Sequence, residues 1–125
     1  MDKLTFEATS NTPWADFNQN GILKIEGRSY PENASVFFDP LIEFVNTLHV
    51  PCVCFDINLE YMNTASSKKL LFLLSALEQN KNIGSIQVNW YYEEGDDDSV
   101  ETAEIYDDHL RRTRFTFNEV AEINY

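Results

Sequence analysis

The apolar positions change period along the chain, and the changes mark out its elements. Leu4 to Ala8 alternates well enough for an opening strand, and Trp14 to Phe17 makes a second. Asn18-Gln19-Asn20-Gly21 reads as a turn, because Asn-Gly accepts the positive φ angles that hairpins need. Ile22 to Glu26 returns as a strand, which Tyr30-Pro31-Glu32-Asn33 breaks, opening a helical stretch. There Phe37, Leu41, Phe44 and Leu48 recur at helical spacing, an apolar stripe facing a core. Pro40 is awkward inside it, since a mid-helix proline loses one hydrogen bond and crowds the preceding turn. Asp39-Pro40 would serve well as N-cap and first helical residue. The expectation is a kink, or a short turn followed by a helix from Pro40 to about Leu48.

Pro51 ends that connection, and Cys52 to Leu59 is apolar at nearly every position, which predicts a central, buried strand. Leu70, Leu71, Leu73, Leu74 and Leu77 predict a helix from Ser66 to Gln79, stopped near Asn80-Lys81-Asn82-Ile83-Gly84. Ser85 to Tyr92 follows as a strand with Val88, Trp90 and Tyr92 on one face. Glu93 to Asp98 is a loop, Val100 to Arg112 a helix, and Phe115 to Tyr125 a last strand. Strands alternating with helices after an opening hairpin imply right-handed β-α-β crossovers. The predicted fold is α/β: one domain over residues 1–125, with a mixed sheet and helices mainly on one face.

Composition narrows the functional classes. The 125 residues are enough to bury a core, and 43% hydrophobic with 14% aromatic content opposes disorder despite a net charge of −12. That charge argues against nucleic acid or an anionic membrane as partner, and it favours a monomer when free. No apolar run is long enough to span a bilayer, and Met1-Asp2-Lys3-Leu4-Thr5 lacks a signal-peptide core, so a cytoplasmic location is expected. Cys52 and Cys54, two apart on a strand, share a face and cannot easily bridge each other. With His49 they make three metal ligands lacking a fourth, and buried free thiols need no further role, so no metal is expected. Glu93 to Asp98 lacks calcium-loop spacing and reads as a solvated loop leading into a helix start. No glycine-rich phosphate loop is present, and neither His49 nor His109 belongs to a nucleophile–base pattern, so no catalytic residue and no cofactor is assigned. Arg111, Arg112 and Arg114 read as a surface patch at a helix end.

The residual chemistry lies in Asn63-Thr64-Ala65-Ser66-Ser67-Lys68-Lys69, small polar residues between the central strand and the leucine-rich helix. A hydroxyl there sits beside unpaired amides and the positive end of the helix dipole, where an anion is well tolerated. The same residue types also serve routinely as helix caps. Lys68 and Lys69 would offset part of a phosphate's charge, or form an ordinary solvent-facing pair.

Asn63-Thr64 with Ser66-Ser67-Lys68, preceded by Glu60-Tyr61, resembles the hallmark of the SiaC-type bacterial regulatory phosphoproteins. Three more segments agree in order: Leu4 to Pro13, Gly27-Arg28-Ser29-Tyr30-Pro31-Glu32-Asn33, and Val88-Asn89-Trp90-Tyr91-Tyr92 followed by acids. The resemblance implies a fold similar to the STAS-like anti-sigma-factor antagonists. It implies a non-enzymatic, phospho-switched regulator in cyclic-di-GMP and biofilm signalling, whose unphosphorylated form binds and activates a diguanylate cyclase. A dedicated protein kinase and phosphatase are implied too. The family pattern carries the phosphorylated threonine onto Thr64, with Ser66 and Ser67 as rivals and Asn63, Lys68 and Lys69 as neighbours of the phosphate. Tyr30, Pro31 and Asn33 are expected at the start of the first helical segment, structural or partner-facing. The competing reading is a small-molecule site or cryptic enzyme using a pocket beside Asn63, Thr64 and Asp56, which requires converging polar groups in a cavity. Thr64→Ala is expected to cost at most a lost cap, about 0.5–2 kcal/mol.

Overall fold

The computed structural model describes residues 2–121. Six strands, β1 (Lys3–Phe6), β2 (Trp14–Asn18), β3 (Ile22–Ser29), β4 (Val50–Met62), β5 (Ile83–Glu93) and β6 (Thr113–Val120), lie side by side in chain order. The first three are antiparallel neighbours, and β3 through β6 run parallel. Helices α1 (Ala34–Asn46), α2 (Thr64–Gln79) and α3 (Asp97–His109) make the three crossovers. Three successive crossovers of one hand, stepping the same way across the sheet, put their helices on one face.

The opening hairpin turns where Asn-Gly predicts. Gly21 has φ of 93° and its N–H bonds the Asn18 carbonyl; a Cβ there would lie 2.5 Å from the Cys52 carbonyl oxygen. β4 is central, but it is not buried on both faces. Val53, Phe55, Ile57 and Leu59 face the helices and are buried, whereas Cys54, Asp56, Asn58 and Glu60 lie half-buried on a face no helix covers. Cys52 is exposed on that face, so the expectation of buried thiols is corrected. The apolar look of this strand comes from cysteines that alternate with the true core positions.

The core is the layer between sheet and helices: Phe17, Leu23, Ile25, Phe55 and Trp90 against Phe38, Leu41, Leu70, Leu73, Leu74 and Leu77. α3 contributes only Ala103 and Tyr106 to it, which is why its apolar period is faint in the sequence. The helix begins at Asp97, three residues before the expected start, because the Asp96 side chain accepts from the Ser99 N–H and caps it. The last strand ends at Val120 rather than running on; the remainder of the expected strand, from 122 onward, lies outside the described residues.

α1 runs unbroken through Pro40, and Asp39 is no cap. Pro40 leaves the Val36 carbonyl without its helical donor, but Val36 is 72% exposed, so water can serve that oxygen. The cap is Asn33, whose Oδ1 accepts from the Ser35 N–H at 3.1 Å, and Asp39 instead holds the Lys69 Nζ at 2.8 Å. Arg112 also departs from expectation. Its guanidinium is inserted at the end of α2, donating to the carbonyls of Leu77, Glu78, Asn80, Ile83 and Gly84. Glu78 accepts from the N–H groups of Arg111, Arg112 and Thr113 and from the Thr113 hydroxyl. Burial pushes the Glu78 carboxyl up, but these hydrogen bonds together outweigh it and leave its pKa lowered. Of the predicted basic patch, Arg111 and Arg114 remain at the surface, while Arg112 staples two elements.

Candidate functional site at the start of helix α2

The parallel strands deliver all three helix starts to one end of the sheet, where the caps Asn33, Asn63 and Asp96 stand. The first turn of α2 is tied down on three sides. Asn63 Oδ1 accepts from the Ser66 N–H at 2.9 Å, while Nδ2 donates to the Pro31 carbonyl at 3.3 Å. Its backbone N–H bonds the Ser29 carbonyl at 2.8 Å. Ser66 is fully buried and its hydroxyl pairs with that of Ser29, at the end of β3, at 2.7 Å. The Ser67 hydroxyl lies 2.8 Å from the Tyr106 hydroxyl of α3, which donates to the Ser67 carbonyl at 2.7 Å. Burial, partly offset by Ser67, pushes Tyr106 up to about 12, so the phenol stays neutral and able to donate.

Thr64 differs from its neighbours. It is the first residue of α2, it is exposed, and its hydroxyl has no hydrogen-bond partner among the described residues. The cap of α2 is Asn63, so the hydroxyl of Thr64 is not needed to start the helix. Around it, the first turn of α2 carries no acidic residue. Lys68 is exposed one helical turn away on the same face and lies over the Phe72 ring. Lys69 also lies over the Phe72 ring, with its ammonium paired to Asp39 at 2.8 Å.

The expected partner-facing residues gather close by. Tyr30 is exposed, with its ring edge-on to Tyr61 at 6.1 Å, its hydroxyl on the Ser10 carbonyl at 2.6 Å and its N–H on the Asn11 carbonyl. Pro31 is buried beneath it and Asn33 is exposed as the α1 cap. Asp56 does not join this group. It points from the uncovered sheet face and accepts from Asn89 Nδ2 at 2.8 Å, so Asn63, Thr64 and Asp56 form no common pocket. A cavity of about 250 Å³ between α2 and α3 is lined by Glu60, Tyr61, Ser67 and Asp96, and by none of those three. Arg28 grips Glu60 through two hydrogen bonds of 2.9 Å and holds its carboxyl below the usual range. No cluster of three metal-ligating side chains occurs among the described residues. The structural partners Ser29, Ser66 and Tyr106 carry no periodic signal and come together only through the crossovers.

Thr64 thus presents an exposed hydroxyl at a helix start, on a turn tied down by its neighbours. The sequence model for the SiaC family regulatory phosphoprotein matches residues 6–120 of this chain. The chain belongs to the SiaC family. A relative, an uncharacterized protein of Pseudomonas aeruginosa strain UCBPP-PA14, is 30% identical over an alignment of 109 residues that covers 83% of this chain and 86% of that one. The structure of apo-SiaC from Pseudomonas aeruginosa superimposes with a TM-score of 0.78 at 28% identity, covering 94% of this chain and 99% of that one. A chain in the crystal structure of diguanylate cyclase SiaD in complex with its activator SiaC, from the same organism, gives 0.81 at 26% identity, with the same coverage. Membership makes this protein a regulatory phosphoprotein. No helix among the described residues is long and apolar enough to cross a membrane.

Proposed function

We propose that the unphosphorylated protein binds and activates a diguanylate cyclase, and that phosphorylation of Thr64 prevents this. The observation that carries the assignment to Thr64 is the contrast among the three hydroxyls. Ser66 is buried against Ser29, Ser67 is engaged with Tyr106, and of the three Thr64 alone is exposed and without a hydrogen-bond partner among the described residues. A kinase must draw a hydroxyl into its own active site, and releasing Ser66 or Ser67 would first break α2 away from its neighbours. Complex formation between the SiaC relative and a cyclase supports the partner. In this reading the chain acts as one non-enzymatic domain in the cytoplasm, a monomer when free, with a dedicated kinase and phosphatase setting its state. A phosphate adds about −1.5 to −2 charge and three acceptor oxygens at the start of α2. Burying that charge under a docked partner would require desolvating it, and this opposes the complex.

Phosphopeptide mapping after treatment with the kinase, paired with cyclase pull-downs of wild type, Thr64→Ala and the purified phosphoprotein, tests the reading. A single phosphate on Thr64 that abolishes capture supports it. A phosphoprotein captured as well as wild type, or phosphate on Ser66 or Ser67, overturns it.

A further inference from the structure

We infer that Asn63 is a positioning residue that reports the state of Thr64 to the loop entering α1. The inference rests on the reading of Thr64 as the phosphorylated residue. The side chain of Asn63 is shared between two elements, through Oδ1 on the Ser66 N–H of α2 and Nδ2 on the carbonyl of Pro31. One planar amide therefore sets both the start of α2 and the position of the loop. The rest of that loop is held near the surface by Tyr30, through its hydroxyl on Ser10 and its N–H on Asn11, and by the Asn33 cap.

A phosphate on Thr64, the residue next to Asn63, competes for both ends of this amide. As a dianion it is a stronger acceptor than an amide carbonyl for the first-turn N–H groups, including that of Ser66. It is also a stronger acceptor for Nδ2 than the neutral Pro31 carbonyl. The first exchange releases the amide from its fixed orientation on α2, and the second frees Pro31 from α2. Pro31 is a wall of an apolar groove of about 390 Å³, together with Phe6, Val36 and Phe37. The phosphate thereby changes a surface beyond its own reach, and Asn63 carries the change.

Amide exchange tests the link at Tyr30, Ser35 and Val36, whose N–H groups are each bonded in this loop or at the α1 cap. In wild type, phosphorylation should speed exchange there about fivefold to tenfold, the loss of roughly one hydrogen bond. Asn63→Ser keeps a capping oxygen and adds no charge but cannot reach Pro31. It should show the faster exchange without phosphate, and phosphorylation should add nothing further. Asn63→Asp, which caps but offers Pro31 no donor, should behave the same way. Exchange in β4 should stay at the wild-type rate in both variants, showing that the fold holds. Unchanged exchange in the wild-type phosphoprotein, or an Asn63→Ser protein still responsive to phosphate, overturns the coupling. Cyclase titrations of the same samples separate the two readings. Lost cyclase binding with unchanged loop exchange removes the role of Asn63 and leaves the Thr64 switch standing. Normal binding by the phosphoprotein removes the switch itself.

Discussion

Neighbouring substitutions at Asn63 and Thr64 should have sharply different effects on stability. Thr64→Ala removes a hydroxyl that bonds nothing among the described residues and replaces Thr by the best helix former, so its effect should stay within about 0.5 kcal/mol of zero. This lies at the bottom of the range expected from the sequence, because the cap is Asn63. Asn63→Ala removes that cap, about 1 kcal/mol, and the bond to the Pro31 carbonyl, about another 1 kcal/mol. For a domain this size each kcal/mol is worth roughly 4 °C in Tm, so Asn63→Ala should melt about 8 °C below wild type. Thr64→Ala should melt within about 2 °C of it. Thr64→Asp should be neutral or slightly stabilising, since an acid in the first turn suits the helix dipole by about 0.3–1 kcal/mol. Thermal melts by circular dichroism, paired with cyclase titrations, read both properties. Thr64→Ala should bind like wild type and resist the kinase, while Thr64→Asp should bind more weakly without losing stability. If Thr64→Ala loses as much Tm as Asn63→Ala, the hydroxyl is a structural group and its assignment as the free acceptor is wrong.

Other consequences are open to measurement. Ser66→Ala should destabilise by about 1–3 kcal/mol by orphaning the buried Ser29 hydroxyl, and the Ser29→Ala, Ser66→Ala double variant should lose less than the sum of the two. Glu78 has a folded pKa below its unfolded value, so its contribution is fully present above about pH 5 and fades as pH falls through the folded value. Glu78→Gln should therefore lower stability at pH 7 and flatten its acid dependence, and a melting series from pH 7 to pH 3 that runs parallel to wild type would refute the contribution of the Glu78 carboxylate. Cys52 should react with a thiol reagent in the native state at nearly the rate of an unfolded thiol, with Cys54 slower; protection of both would contradict the uncovered sheet face.

Much of the architecture was legible in the chain because it rests on short-range rules. The Asn-Gly turn, the leucine period of α2 and the alternation of strands and helices each reflect local geometry, and together they imply a mixed sheet with helices on one face. Errors arose where tertiary packing outweighed a local preference. Pro40 is tolerated inside α1 because the orphaned carbonyl faces water, which depends on how the helix sits. Arg112 looks like any surface arginine until the crossovers bring five carbonyls to it.

The same division holds at the site. By itself the sequence determined that hydroxyls cluster between a strand and a helix, since residue type and order are all that this requires. Residue chemistry alone does not rank Thr64, Ser66 and Ser67, which are alike and close together, and only the family pattern puts Thr64 first. The tertiary structure separates their surroundings, bringing Ser29 from β3 and Tyr106 from α3 against the two serines while turning Thr64 outward. A side chain's partners across the fold are set by how strands and helices pack, and no period within one segment encodes them.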